Sequence, residues 1–203
     1  MDARRRLFLR SGVQKVAQAT VDVAAHQLAT RPQNWFRPPF ATDEWQFLEL
    51  CTRCDECLAA CPHEVLFPLP ARLGPRLERT PAMDLLHKGC HLCADWPCVK
   101  ACETGALALP SPDATADEEE APGLSSRPLL ALAAIDTSTC LPYLGPECGA
   151  CADACPVPGA LRWQGPRPFI EPQICVGCAR CREACIVEPK AVRLAVPDAN
   201  PAP

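Results

Sequence analysis

The chain has 203 residues and a formal net charge of -4, with sixteen cysteines and 24 prolines but only one tyrosine and six phenylalanines. That charge implies no broad basic surface and argues against nucleic acid as a partner. No stretch reaches the ~18 apolar residues that cross a bilayer, so no transmembrane segment is expected.

The first segment opens with a basic cluster, and Arg5-Arg6-Leu7-Phe8-Leu9-Arg10 looks like the core of a twin-arginine export signal. Such a signal needs a subsequent run of about 7 to 15 apolar residues. Residues 11–30 are instead interrupted by Gln14, Lys15, Gln18, Asp22, His26 and Gln27. On a helical wheel Val13, Val16, Ala17, Thr20, Ala24 and Leu28 share one face, so the segment reads as an amphipathic helix rather than a cleaved signal. The expectation is a cytoplasmic protein, with export to the periplasm through Arg5-Arg6 as the alternative. Residues 1–36 read as this helix and a linker, and the proline-rich stretch 31–40 leads toward the first cysteines.

The rest is organised by four cysteine blocks. Block one is Cys51, Cys54, Cys57 and Cys61; block two is Cys90, Cys93, Cys98 and Cys102. Block three is Cys140, Cys148, Cys151 and Cys155; block four, Cys175, Cys178, Cys181 and Cys185, repeats the spacing of the first. Each is succeeded by a short apolar run: Val65-Leu66-Phe67, Ala106-Leu107-Ala108-Leu109, Ala160-Leu161-Arg162-Trp163 and Ala191-Val192-Arg193-Leu194. Strand-like segments also precede blocks three and four, over residues 132–135 and 168–170. The unit is strand, cysteine loop, one or two helical turns begun near the fourth cysteine, then strand. The fold class expected is α+β: two bacterial-type 2[4Fe-4S] ferredoxin-like modules, 37–109 and 129–203, with an N-terminal amphipathic helix. Residues 110–128, with Asp113, Asp117 and Glu118 to Glu120, read as an acidic linker between the modules.

Three chemistries use many cysteines: disulfide frameworks, structural zinc and iron-sulfur clusters. Disulfide scaffolds are short and irregularly spaced. Four-thiolate zinc sites use two C-x2-C pairs with a longer loop between, which leaves a third cysteine at i+6 without a task. A cubane needs one thiolate at each of four corners, and C-x2-C-x2-C wraps three of them while the next x3-C serves a second cage. All sixteen cysteines are therefore read as metal ligands, enough for four [4Fe-4S] clusters with none left over. Block spacing leaves open whether blocks one and two share clusters, as three and four would, or whether one pairs with four around a nested two and three.

Full ligation leaves no iron corner for substrate, and there is no nucleotide fingerprint, phosphate-binding loop or nucleophile elbow. The expectation is an electron carrier or accessory protein and not an enzyme. His26, His63, His87 and His91 are read as surface or supporting side chains, because block two already has four cysteines beside His91. Trp35, Trp45 and Trp163 are read as ordinary packing, and Trp96, inside a cysteine loop, as a shield against water.

Arg37-Pro38-Pro39, with a glutamate and a phenylalanine after it and before Cys51-Thr52-Arg53-Cys54, resembles the entry to the ferredoxin-type accessory proteins of periplasmic nitrate reductase, NapF and NapG, and their relative MauM. The long first gap of block three, and the run from Glu147 to Cys155, resemble the same group, over roughly residues 37–195. The segments from Cys90 to Cys102 and from Cys185 to Ala191 look more like NapG and MauM, whereas the lack of a clear signal segment looks like NapF. The NapF likeness implies a cytoplasmic protein that gives electrons to, or helps mature, the catalytic subunit of periplasmic nitrate reductase or a similar molybdoenzyme. The NapG likeness implies an exported protein that passes quinol-derived electrons toward that subunit.

Overall fold

A computed structural model describes residues 35–110 and 127–197. The helix expected over 11–30, the Arg5-Arg6 pair, His26 and residues 111–126 of the acidic stretch lie outside the described residues. The described residues all fall within one unit of contacts beginning at Asn34.

Asp43 starts the first helix, α1 (Glu44–Leu50), by accepting the N–H of Gln46 on its side chain at 3.1 Å. That satisfies one of the donors a helix start leaves open, and Glu44 places negative charge at the positive end of the dipole. Phe47 and Leu48 turn into the core. Arg37 fixes how the chain enters: Nε and Nη2 donate to the two carboxylate oxygens of Glu44 at 2.8 and 2.6 Å, and Nη1 donates to the Pro81 carbonyl at 2.8 Å and to Thr80 Oγ1 at 3.0 Å. Its guanidinium also lies 4.6 Å over the Phe47 ring. The pair is part-buried, and losing hydrogen bonds to a charged partner there costs about 1.5 to 3 kcal/mol, so this fork pins the Arg37-Pro38-Pro39 segment to the core.

Two halves are built alike. In each, a hairpin joins the two cysteine blocks: β1 (Leu66–Pro68) pairs antiparallel with β2 (Pro81–Met83), and β4 (Leu161–Gln164) with β5 (Arg167–Ile170). In each, the chain before the first block also pairs with the chain after the second. The second half does this with β3 (Leu132–Ile135) against β6 (Val192–Ala195). The first half has only an antiparallel bridge, Ala41 to Leu107, with Thr42 N–H donating to Ala106 O and Ala108 N–H to Phe40 O. The strand expected over 106–109 is reduced to this bridge because its partner segment runs at once into the Asp43 cap of α1, and Pro110 brings no N–H.

The short helices also sit earlier than expected. α2 (Glu56–Ala59), α3 (Pro97–Lys100) and α5 (Arg180–Glu183) each enclose the third cysteine of a block and end before the fourth. Block three has a single 3-10 turn, Ala152–Ala154, at that place, and its long first gap is filled by α4 (Leu141–Leu144). One apolar cluster runs through both halves, including Phe47, Val65, Leu66 and Val99 from the first and Ala131, Val157, Val176 and Ala179 from the second. No helix among the described residues is long and apolar enough to cross a membrane.

Candidate metal centres

The cysteine loops curl because the backbone turns left-handed twice in each of three blocks. The residue before the second cysteine has positive φ in Arg53 (62°), Leu92 (50°) and Gly177 (69°). The residue two before the third cysteine does likewise in Asp55 (65°), Trp96 (47°) and Ala179 (64°). For a residue with a Cβ such a conformation costs about 1 to 3 kcal/mol and persists only where the surroundings impose it. Here it bends each run into a concave loop and then aims the chain into α2, α3 or α5.

The thiols gather in four sets, and each set draws three cysteines from one block and the last cysteine of another. Cys51, Cys54, Cys57 and Cys102 line a pocket of about 340 Å³ with Phe47 and Leu107. Cys61 joins Cys90, Cys93 and Cys98 around one of about 370 Å³, walled by Val65, Met83 and Trp96. Cys140, Cys148, Cys151 and Cys185 line a third of about 370 Å³ with Trp163 and Ile186. The Cys181 thiol lies among those of Cys178, Cys175 and Cys155, completing the fourth set. Blocks one and two thus exchange their last thiols, as do three and four.

Burial dominates the electrostatics of these thiols. It pushes Cys57, Cys178 and Cys181 up to about 12, and Cys90, Cys98 and Cys151 up to about 11, with neighbouring thiols adding to the rise. Cys102 is the exception. Burial raises it, but the Leu107 N–H at 3.4 Å, the Thr104 hydroxyl at 3.6 Å and two further amides outweigh that and hold the thiol below its ordinary range. Four thiols this close and this poorly hydrated cannot all ionise unless a strongly positive group sits among them.

The donor set fits an iron-sulfur cluster. Four soft thiol ligands surround each pocket, with apolar walls from Phe47, Leu107, Val65 and Met83 beside a few polar side chains such as Thr104 and His91, and thiolates in such a setting hold iron. Metal binding then deprotonates the thiols outright. Among the described residues no three His, Cys, Asp or Glu side chains converge tightly enough on one point for a single ion. A cage spreads its ligands over the corners of a larger tetrahedron than a zinc ion with Zn–S bonds of about 2.3 Å.

The remaining candidates from the sequence fall around these sets. His63 and His91 both line the Cys61 set and stack on each other, centroids 3.4 Å apart. Burial lowers the His91 imidazole, and the adjacent Arg180 guanidinium lowers it further. His87 is exposed and pairs with Asp84 at 2.7 Å. Trp96 lines the same set as His91, its ring edge-on to Phe40 at 4.9 Å. Trp163, read as ordinary packing, lines the Cys140 set. Cysteine spacing does not reveal the paired left-handed residues. Their clearest signal is Gly177, in the slot where blocks one and two carry Arg53 and Leu92, with Asp55 a weaker one.

No family model matches the chain, and no solved structure does. Among curated proteins it is 35% identical to a ferredoxin-type protein NapG of Haemophilus influenzae over 171 residues, 78% of this chain and 57% of that one. The chain therefore spans little more than half of that relative. It is 30% identical to the methylamine utilization ferredoxin-type protein MauM of Methylobacillus flagellatus over 204 residues, covering 94% of this chain and 82% of that one. It is also 28% identical to the ferredoxin-type protein NapF of Escherichia coli, over 77% of this chain and 84% of that one.

Proposed function

From the premise that the chain belongs to the NapF/NapG/MauM group of ferredoxin-type proteins, we propose that it holds four [4Fe-4S] clusters and serves a molybdenum reductase such as periplasmic nitrate reductase. It gives electrons to the catalytic subunit or helps mature it, in the cytoplasm. The observation that carries this reading is the sorting of sixteen thiols into four sets of four, each with one thiol crossed over from the neighbouring block. The ligands are Cys51, Cys54, Cys57 and Cys102; Cys61, Cys90, Cys93 and Cys98; Cys140, Cys148, Cys151 and Cys185; and Cys155, Cys175, Cys178 and Cys181. They form two ferredoxin-like modules, 37–109 and 129–203, joined by the acidic segment 110–128.

When bound, such clusters supply one-electron redox chemistry. The residues of the chain hold them, exclude water through Trp96, Met83 and Trp163, and set the potential with amides such as Leu107 N–H on Cys102. With every thiol engaged, no corner is open to a substrate, which favours carriage of electrons over catalysis.

Anaerobically prepared protein is expected to contain about sixteen irons per chain and to give reversible paramagnetic signals in a redox titration. Zinc in their place would sink the cluster reading. Irons that never reduce would leave a structural protein only.

A second reading is export through the Arg5-Arg6 pair and electron transfer in the periplasm. Fusion to a reporter active only after twin-arginine export decides between the two. The cytoplasmic reading expects no reporter activity; activity that vanishes when Arg5 and Arg6 become lysines overturns it.

A further inference from the structure

The two halves meet where the loop of block two faces that of block four. The Cys90 N–H donates to the Cys178 carbonyl at 2.7 Å, so two thiol-bearing loops from different halves touch through one hydrogen bond. A small polar clamp surrounds it. Gly89 N–H donates to Glu183 Oε2 at 3.3 Å, while Arg180 Nη1 donates to the same oxygen at 2.5 Å and to His91 Nε2 at 3.0 Å. Arg182 Nε donates to the Leu86 carbonyl at 3.0 Å.

Gly89 is what permits this approach. A Cβ placed there lies 2.7 Å from Arg180 Cδ, 2.8 Å from its Cα and 2.9 Å from its N. A flexible side chain can move away, but the last two atoms are backbone. No side chain at position 89 is compatible with the observed separation of the halves.

On the reading that the four thiol sets hold clusters, we propose that the Cys90–Cys178 hydrogen bond is where electrons cross between the halves, and that Gly89 is the positioning residue that sets its closeness. The path from one thiol to the other runs through covalent bonds and this single hydrogen bond, with no gap crossed through space. The sets of Cys90 and Cys178 become the inner pair, and those of Cys51 and Cys140 the two ends. One electron lost on one side is gained on the other, with no bond made or broken and no proton moved. A reduced one-electron donor protein supplies it, and in the test dithionite does.

The test is electron paramagnetic resonance of the full, iron-loaded chain reduced with dithionite, native against Gly89→Ala. Spin coupling between clusters within a half does not involve Gly89, so the difference isolates the coupling between halves. Gly89→Ala is expected to keep the native iron content and the native potentials and to lose part of the spin-coupled broadening. A spectrum as broad as the native one overturns the proposal. Where Gly89→Ala fails to retain iron, Glu183→Ala decides, because it frees the Gly89 N–H and Arg180 without adding bulk. Narrowing there supports the crossing, and native broadening overturns it. An iron-free native chain sinks the cluster reading itself, whereas an iron-loaded native chain that neither variant alters sinks this inference alone.

Discussion

Serine at both Cys54 and Cys102 is expected to cost no more iron than serine at either alone, whereas serine at Cys54 and Cys61 is expected to cost twice as much. The first pair belongs to one thiol set and the second pair to two, although Cys54 and Cys61 are neighbours in block one and Cys102 ends block two. In a native chain with about sixteen irons, the expected contents are about twelve for the same-set pair and about eight for the pair from different sets. Iron analysis of purified variants reads this directly. A chain in which each block served its own cluster gives the reverse pattern. Stability tracks the iron, because each set ties block one to block two, and in so small a half metal binding and folding are one equilibrium. The thermal transition of the first half is therefore expected to fall with the first cluster lost.

The parts of this arrangement that spacing encodes are those where one residue's neighbours in sequence are also its neighbours in space. The triplet Cys51, Cys54, Cys57 reads as a curled loop, and the runs 65–67, 132–135, 160–163 and 191–194 read as strands because each is a short, largely apolar segment next to such a loop; the strands form at 66–68, 132–135, 161–164 and 192–195. The crossing of Cys61 and Cys102 is different. Spacing fixes the curvature of a run but not which other run it faces, and it is the hairpins β1–β2 and β4–β5 that place the partner of each block. Helix α1 lies outside the cysteine pattern altogether and is carried by a capping signal, Asp43 and Glu44 before Phe47 and Leu48. The strand expected at 106–109 fails for a non-local reason, the early start of α1 on the opposing segment. Left-handed Arg53, Leu92 and Trp96 are invisible in the sequence because nothing in their chemistry favours that conformation, whereas Asp55 is of a type that tolerates it. The loop imposes it on them.

Where the loop has the freedom of glycine, that freedom is used for closeness as well as for conformation. A Cβ at Gly177 would lie 1.9 Å from the carbonyl oxygen of Ala131 and 2.5 Å from its carbonyl carbon, and all the clashing atoms are backbone. Ala131 is 1% exposed, and the adjoining Leu130 N–H is fixed to the Val176 carbonyl at 2.8 Å. The block-four loop therefore lies directly on the segment that leads into β3, and neither side can retreat without breaking that bond. Gly177→Ala adds a left-handed penalty of about 1 kcal/mol to overpacking of about 3 kcal/mol, for a loss of about 4 kcal/mol. Gly105, at φ 74°, meets nothing within 4 Å, so Gly105→Ala carries only the conformational part, about 1 kcal/mol. Melting and iron content of the two variants, measured together, separate the contributions. Gly177→Ala is expected to lose the irons of the Cys175 set along with its stability, while Gly105→Ala keeps all of its own. Equal transitions for the two would mean that the loop does not rest on Ala131, and that the left-handed turns alone shape the cysteine run.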